Sequence, residues 1–85
     1  MRTVQFTAKA FEEYNDWFEE DIKMIERIKT LIRDIEIEPF KGLGKPEPLK
    51  ENWNGYWSRR ITQEHRLVYK ITNEQIIIAK CKGHY

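Results

Sequence analysis

Three strand-like runs succeed one another in the second half of the chain: Tyr56-Trp57-Ser58-Arg59-Arg60-Ile61, His65-Arg66-Leu67-Val68-Tyr69-Lys70-Ile71 and Gln75-Ile76-Ile77-Ile78-Ala79-Lys80-Cys81-Lys82. The gaps between them are short and polar, centred on Gln63 and Asn73, which predicts an antiparallel meander. Alternation places Leu67, Tyr69 and Ile71 on one face of the middle strand and Arg66, Val68 and Lys70 on the other. Turns around Gln63 and Asn73 set Arg66 opposite both Arg60 and Lys80, a row of three cations across one sheet face. Like charges directly opposite one another destabilise a sheet, so the row points to a bound anion. Neutralisation by Glu64 or other carboxylates is the structural alternative. A slip of one residue in the pairing would move every side chain to the other face.

Upstream of the meander, residues 39–55 are rich in Pro, Gly and Lys and read as a long irregular connection. Glu47 lies between Pro46 and Pro48, whose rings stiffen the backbone that presents its carboxylate. Further upstream, Thr7 can cap a helix carrying Phe11, Tyr14 and Phe18 at helical spacing, with Trp17 beside them. Asp21 can cap a second helix with Ile25, Ile28, Ile32 and Ile35 as its apolar stripe and Leu31 adjacent; Pro39 stops it. Acidic residues are expected on the solvated outer faces of both helices, with the aromatics inside. Val4 and Phe6 alternate with Thr3 and Gln5 as a short first strand. The resulting expectation is an α+β fold over residues 1–85 as a single domain: an N-terminal strand and a two-helix hairpin packed on a small antiparallel sheet.

The chain has 85 residues, 15 basic and 14 acidic, for a net charge of +1. That balance conceals an asymmetry. Residues 1–40 hold 6 basic and 10 acidic side chains, and residues 41–85 hold 9 basic and 4 acidic, so a charge of −4 is followed by one of +5. Such a division hints at a face that binds a polyanion. Eleven aromatics (3 Trp, 4 Tyr, 4 Phe) with only 4 Gly and 3 Pro argue for a packed domain and against disorder. The longest unbroken apolar run, Ile76–Ala79, is far below the roughly 20 residues of a membrane span. The first six residues lack the apolar core of a secretion signal. One cysteine, Cys81, forms no internal disulfide and reads as a small apolar residue, consistent with a reducing compartment such as the cytoplasm. The two histidines and one cysteine lack the close ligand spacing that a metal site requires.

The last residues, Lys82-Gly83-His84-Tyr85, are expected to overhang the Arg60–Arg66 end of the sheet. A carboxylate, a histidine and arginines brought together there can perform phosphoryl transfer on RNA. A base takes the proton of a 2′-hydroxyl, an acid protonates the leaving 5′-oxygen, and cations stabilise the charge that builds on phosphorus. Trp53, Tyr56 and Trp57 can stack bases or fill the core. His65 shares the core-facing side with Leu67 and reads as structural.

Four segments carry a resemblance that covers essentially the whole chain. They are Gly44-Lys45-Pro46-Glu47-Pro48-Leu49-Lys50, Gly55-Tyr56-Trp57-Ser58-Arg59-Arg60-Ile61-Thr62, Glu64-His65-Arg66-Leu67-Val68-Tyr69 and His84-Tyr85. Together they closely resemble the YoeB/Txe toxins of the RelE-like superfamily, from bacterial toxin–antitoxin systems. The resemblance implies a RelE-like, microbial-RNase-like fold. It also implies an endoribonuclease, or mRNA interferase, that cleaves messenger RNA in the ribosomal decoding site without a metal or other cofactor. Carried onto matching positions, Glu47 resembles the general base, His84 the general acid, Arg66 the phosphate and transition-state stabiliser, and Tyr85 the residue that orients substrate. Lys50, Arg60 and Glu64 match supporting substrate-binding positions. The implied partners are a YefM/Axe-type antitoxin, the ribosome and mRNA, operator DNA only through the antitoxin complex, and a possible homodimer, with no membrane. Two positions depart from the pattern: Gln63 replaces an acidic residue, and Gly83 replaces a bulkier one, which implies a more mobile His84-Tyr85 pair. Two other functions compete. One is a toxin of related fold inhibiting a non-RNA target such as DNA gyrase; the other is a non-catalytic nucleic-acid-binding corepressor module.

Overall fold

A computed structural model describes residues 1–85. Strand β1 (Thr3–Phe6) leads into helix α1 (Ala8–Glu20) and helix α2 (Ile22–Ile37). After a loop come β2 (Glu47–Pro48), a 3-10 turn (Glu51–Trp53), β3 (Trp57–Arg60), β4 (Arg66–Ile71) and β5 (Gln75–Lys80). The five strands form one sheet in the order β1-β5-β4-β3-β2. The meander β3-β4-β5 is antiparallel, while β1 joins β5 in parallel, so the α+β sheet is mixed. The helical hairpin supplies the crossover that a parallel pair requires.

Local chemistry accounts for the helices. The Thr7 hydroxyl accepts the Ala10 N–H at the start of α1. Asp21 joins the two helices alone: its N–H donates to the Trp17 carbonyl, and its carboxylate accepts the Lys23 N–H. Ile25, Ile28, Leu31 and Ile35 are the buried stripe of α2, with Ile32 partly buried beside it. They pack on Leu67, Tyr69, Ile76 and Ile78 from the facing side of the sheet.

The inward stripe of α1 differs from expectation. It consists of Ala10, Glu13 and Trp17, so Phe11 and Phe18 point outward at 55% and 51% exposure, and only Tyr14 and Trp17 pack inside. Nor are all helical carboxylates on outer faces. Glu13 is buried, and Asp34 meets the fully buried guanidinium of Arg59. That guanidinium donates to the Tyr69 hydroxyl, to Asp34, and to the carbonyls of Glu38, Lys41 and Leu43, tying down the loop after α2. The hydrogen bonds from Leu43 N–H and Arg59 hold the Asp34 carboxyl below the usual carboxylate range.

The sheet departs from expectation at two places. Within the connection read as irregular, Glu47–Pro48 pairs with β3, placing Glu47 opposite Ser58 and Pro48 opposite Trp57. The expected row of three cations is also shortened. Arg60 does lie opposite Arg66, but Lys80 lies opposite Val68, because Tyr69 pairs with Ile78 and Ala79 is left over as a bulge. The Lys80 ammonium reaches Glu13 of α1 at 3.2 Å and is taken up within the protein.

Candidate active site

The sheet face away from the helices is open around Glu47 and Arg60, while Ser58, Val68 and Arg66 on it are buried. Antiparallel partners share a face, so Glu47, Ser58 and Val68 line up across three strands, and Arg60 and Arg66 share that face two positions along, about 7 Å further. A small apolar cluster of Leu49, Val68 and Ala79, with Trp53 and Tyr56 against it, underlies this surface. Trp53 and Tyr56 meet edge to face, and the Lys70 ammonium lies 5.6 Å from the Tyr56 ring centre. Trp57 instead turns to the helix side and packs on Phe40.

Glu47 is exposed on the edge strand, and its Oε1 accepts the Tyr85 hydroxyl at 3.1 Å. The two residues line an open cavity of about 450 Å³ together with Lys50 and Trp53. Lys50 caps the 3-10 turn, whose first residue, Glu51, has φ +55°, the left-handed region that side-chain-bearing residues seldom adopt. Four of the sequence-derived positions are therefore placed as two pairs: Glu47 with Tyr85, and Arg60 with Arg66. His84 adjoins Tyr85, its ring centre 5.0 Å away, but it is exposed and does not line the cavity. Glu64 stays on the exposed β3–β4 turn and forms no ion pair with either arginine.

Arg66 combines anchoring with unused capacity. Only 8% exposed, it directs Nη1 at the carbonyls of Thr62, Gln63 and His65, which fixes the turn. Its Nε and Nη2 donors have no protein acceptor and are not buried. No carboxylate lies within ion-pair distance of Arg60 or Arg66, so of the expected row only Lys80 is neutralised, by Glu13. The two guanidinium groups thus lie on one face without a neutralising carboxylate.

The final segment is held firmly. The Cys81 N–H donates to Glu13, its thiol to the Ala10 carbonyl, and its own carbonyl accepts the Trp17 indole N–H. Burial, reinforced by the Glu13 carboxylate, pushes the Cys81 thiol up to about 12, so it serves as a packed donor. Lys82 reaches Glu20 and Asp16, and the hydrogen bond it donates to Glu20 raises its ammonium above the usual lysine range. Gly83, read as a source of mobility, is instead fastened at both backbone groups. Its N–H donates to His65 Nδ1 at 2.8 Å, and its carbonyl accepts the Arg66 N–H at 3.0 Å. With φ +75° it turns the chain toward Glu47 in a conformation natural to glycine.

Sequence reasoning passed over Glu13, Trp17 as a hydrogen-bond donor, and Arg59. The signal for Glu13 was present, since it is three residues after Ala10 and four before Trp17 on one helical face. Arg59 alternates with Arg60 and so faces the core, where a guanidinium requires an acid and several acceptors. No three His, Cys, Asp or Glu side chains come together in a way that would hold a metal ion.

Comparison with known proteins places these features in a family. Residues 6–85 match the model for the YoeB-like toxin of bacterial type II toxin–antitoxin systems. The toxin YoeB of Streptomyces coelicolor is 52% identical over 82 residues, covering 96% of this chain and 98% of the relative. Among solved structures, a YoeB/ParE toxin from Agrobacterium tumefaciens is 44% identical with a TM-score of 0.94, covering 98% of this chain and 99% of that one. A YoeB–YefM complex from Staphylococcus aureus is 43% identical with a TM-score of 0.90, covering 100% of this chain and 99% of that one. A YoeB dimer from the same species is 45% identical with a TM-score of 0.92, at 99% and 98% coverage.

Proposed function

This chain belongs to the YoeB-like toxins of bacterial type II toxin–antitoxin systems, and from that premise we propose that it is an endoribonuclease cleaving messenger RNA on the ribosome, thereby inhibiting translation. The single observation that carries the reading is Arg66. Its guanidinium is locked to a turn by one nitrogen and keeps its other donors free, on the same face as Glu47. A preorganised cation of this kind favours charge that develops on a phosphate more than charge already present in the ground state.

In the proposed reaction Glu47 Oε2, the carboxylate oxygen that Tyr85 leaves free, takes the proton of a 2′-hydroxyl. The 2′-oxygen bonds to the adjacent phosphorus, and the bond from phosphorus to the 5′-oxygen breaks. His84 donates the proton that the leaving 5′-oxygen requires, leaving a 2′,3′-cyclic phosphate. Arg66 holds the non-bridging oxygens, and Tyr85 orients the nucleotide. Lys50 and Arg60 bind flanking phosphates, Trp53 offers a stacking face, and Glu64 supports the turn. No step calls for a metal. His84 is exposed and free of protein hydrogen bonds, so we assign its final alignment to the ribosome-bound substrate. The proposed partners are a YefM-type antitoxin, a second copy of the chain, and operator DNA through the antitoxin complex. The proposed compartment is the cytoplasm, and no helix is long and apolar enough to cross a membrane.

Mapping of mRNA 5′ ends after brief expression tests the reading. New ends should appear with the wild type and vanish with Glu47→Ala, Arg66→Ala and His84→Ala, each checked for retained antitoxin binding. Retained cleavage in all three variants would sink the assignment, as would equal cleavage rates on free and ribosome-bound RNA. Growth inhibition without new ends would point to a gyrase-type target. Salt-sensitive RNA binding without cleavage would leave only a binding or corepressor module.

A further inference from the structure

Beyond Lys82 the backbone is gripped at one residue before His84 and Tyr85. The Gly83 N–H donates to His65 Nδ1 at 2.8 Å, while the Gly83 carbonyl accepts from Arg66. A backbone N–H only donates, so Nδ1 must present its lone pair, and His65 is the neutral imidazole with its proton on Nε2. Trp17 braces the ring edge-on, with ring centres 4.8 Å apart, and ties its own indole N–H to the Cys81 carbonyl. The His65 carbonyl also accepts from Arg66 Nη1 at 3.3 Å. One residue thus touches the arginine of the site and the segment that carries His84 and Tyr85, without lining the cavity itself.

We propose that His65 is a positioning residue: its Nδ1 lone pair sets where His84 and Tyr85 lie relative to Glu47 and Arg66. A ring present only to fill space beside Trp17 would need no acceptor at that atom. The inference rests on the ribonuclease reading for its effect on rate, whereas the hold on Gly83 stands apart from any chemistry. Small displacements at such a site lower the rate of the chemical step more than they weaken substrate binding.

Two variants of the full chain test this. His65→Phe keeps a ring against Trp17 and removes the acceptor; His65→Asn keeps an acceptor at the Nδ1 position and removes the ring. Amide hydrogen exchange at Gly83 and cleavage of mRNA on ribosomes are measured for each, with antitoxin binding as the check on folding. His65→Phe should exchange Gly83 about tenfold faster. It should also cleave about 10- to 100-fold more slowly at saturating ribosomes with KM little changed. His65→Asn should restore both to within about threefold of wild type. Wild-type Gly83 protection in His65→Phe would overturn the proposal, and so would wild-type cleavage despite lost protection, or equal impairment in both variants. If the wild type itself cleaves nothing, the ribonuclease reading fails, and the Gly83 exchange comparison alone decides whether His65 holds the segment.

Discussion

Arg59 and Arg60 are consecutive in β3 and chemically identical, yet the two faces of the sheet give them opposite surroundings. Arg59 is fully buried on the helix side, where Asp34, the Tyr69 hydroxyl and three loop carbonyls take up its donors. Arg60 projects from the open face opposite another arginine, without a carboxylate partner. A buried guanidinium must find acceptors within the protein, so Arg59 organises the fold. An exposed one opposite a like charge remains available to a ligand. Arg66 stands between these cases, with one nitrogen committed to the fold and the remaining donors open.

Substitutions can break or sharpen this contrast. The largest effect belongs to Arg59→Leu, which strands Asp34 and the loop carbonyls. It should lower unfolding free energy by about 3–5 kcal/mol in urea titrations. A midpoint like that of the wild type would show that the loop does not depend on Arg59. Gly44→Ala comes next. An added Cβ there lies 2.9 Å from the Arg60 carbonyl oxygen at φ +78°, and Gly44 already accepts the Arg60 N–H. A cost of about 1–3 kcal/mol is expected, read as a lowered Tm.

Asp34→Asn should cost less and carry a distinctive pH dependence. Hydrogen bonds from Leu43 and Arg59 depress the carboxyl in the folded state, so its contribution is complete above the ordinary aspartate range. That contribution disappears as pH falls through the depressed folded value. Unfolding midpoints of the variant and the wild type should therefore differ at neutral pH and converge in acid. A gap independent of pH would remove the charge of Asp34 from the explanation. The smallest stability effect is reserved for Arg60→Ala, within about 0.5 kcal/mol of wild type. RNA binding should nonetheless weaken, and its logarithmic salt slope should fall by about 0.7–0.9, the signature of one lost phosphate contact. Destabilisation as large as that of Arg59→Leu would dissolve the distinction between the two arginines.

Most of the helical hairpin and the meander was legible in the sequence, because caps, apolar spacing and short turns are local signals. Thr7 and Asp21 cap as expected, and Arg60 meets Arg66 through the turn around Gln63. The short strand at Glu47 was not legible, since two residues flanked by prolines show no alternation and pair only because β3 offers an edge. Lys80 was misplaced for a related reason. The β4–β5 turn pairs Ile71 with Ile76, one residue off a turn centred on Asn73, and the bulge at Ala79 shifts the pairing by one more, so Lys80 meets Val68 instead of Arg66. At Gly83, a residue type associated with freedom is held by two hydrogen bonds, one donated to a histidine 18 positions earlier.

By itself, then, the sequence determined the fold class, the family, and the candidates proposed as acid, base and cation, because these follow from residue types at short spacing. Tertiary structure alone decided which arginine is structural and which is free, and brought Tyr85 onto Glu47 across 38 positions of chain. It also decided that His65 faces Gly83 with an acceptor. The physical reason is that a local pattern specifies which face a side chain takes, whereas strand pairing, a bulge and long-range hydrogen bonds specify what that side chain meets there.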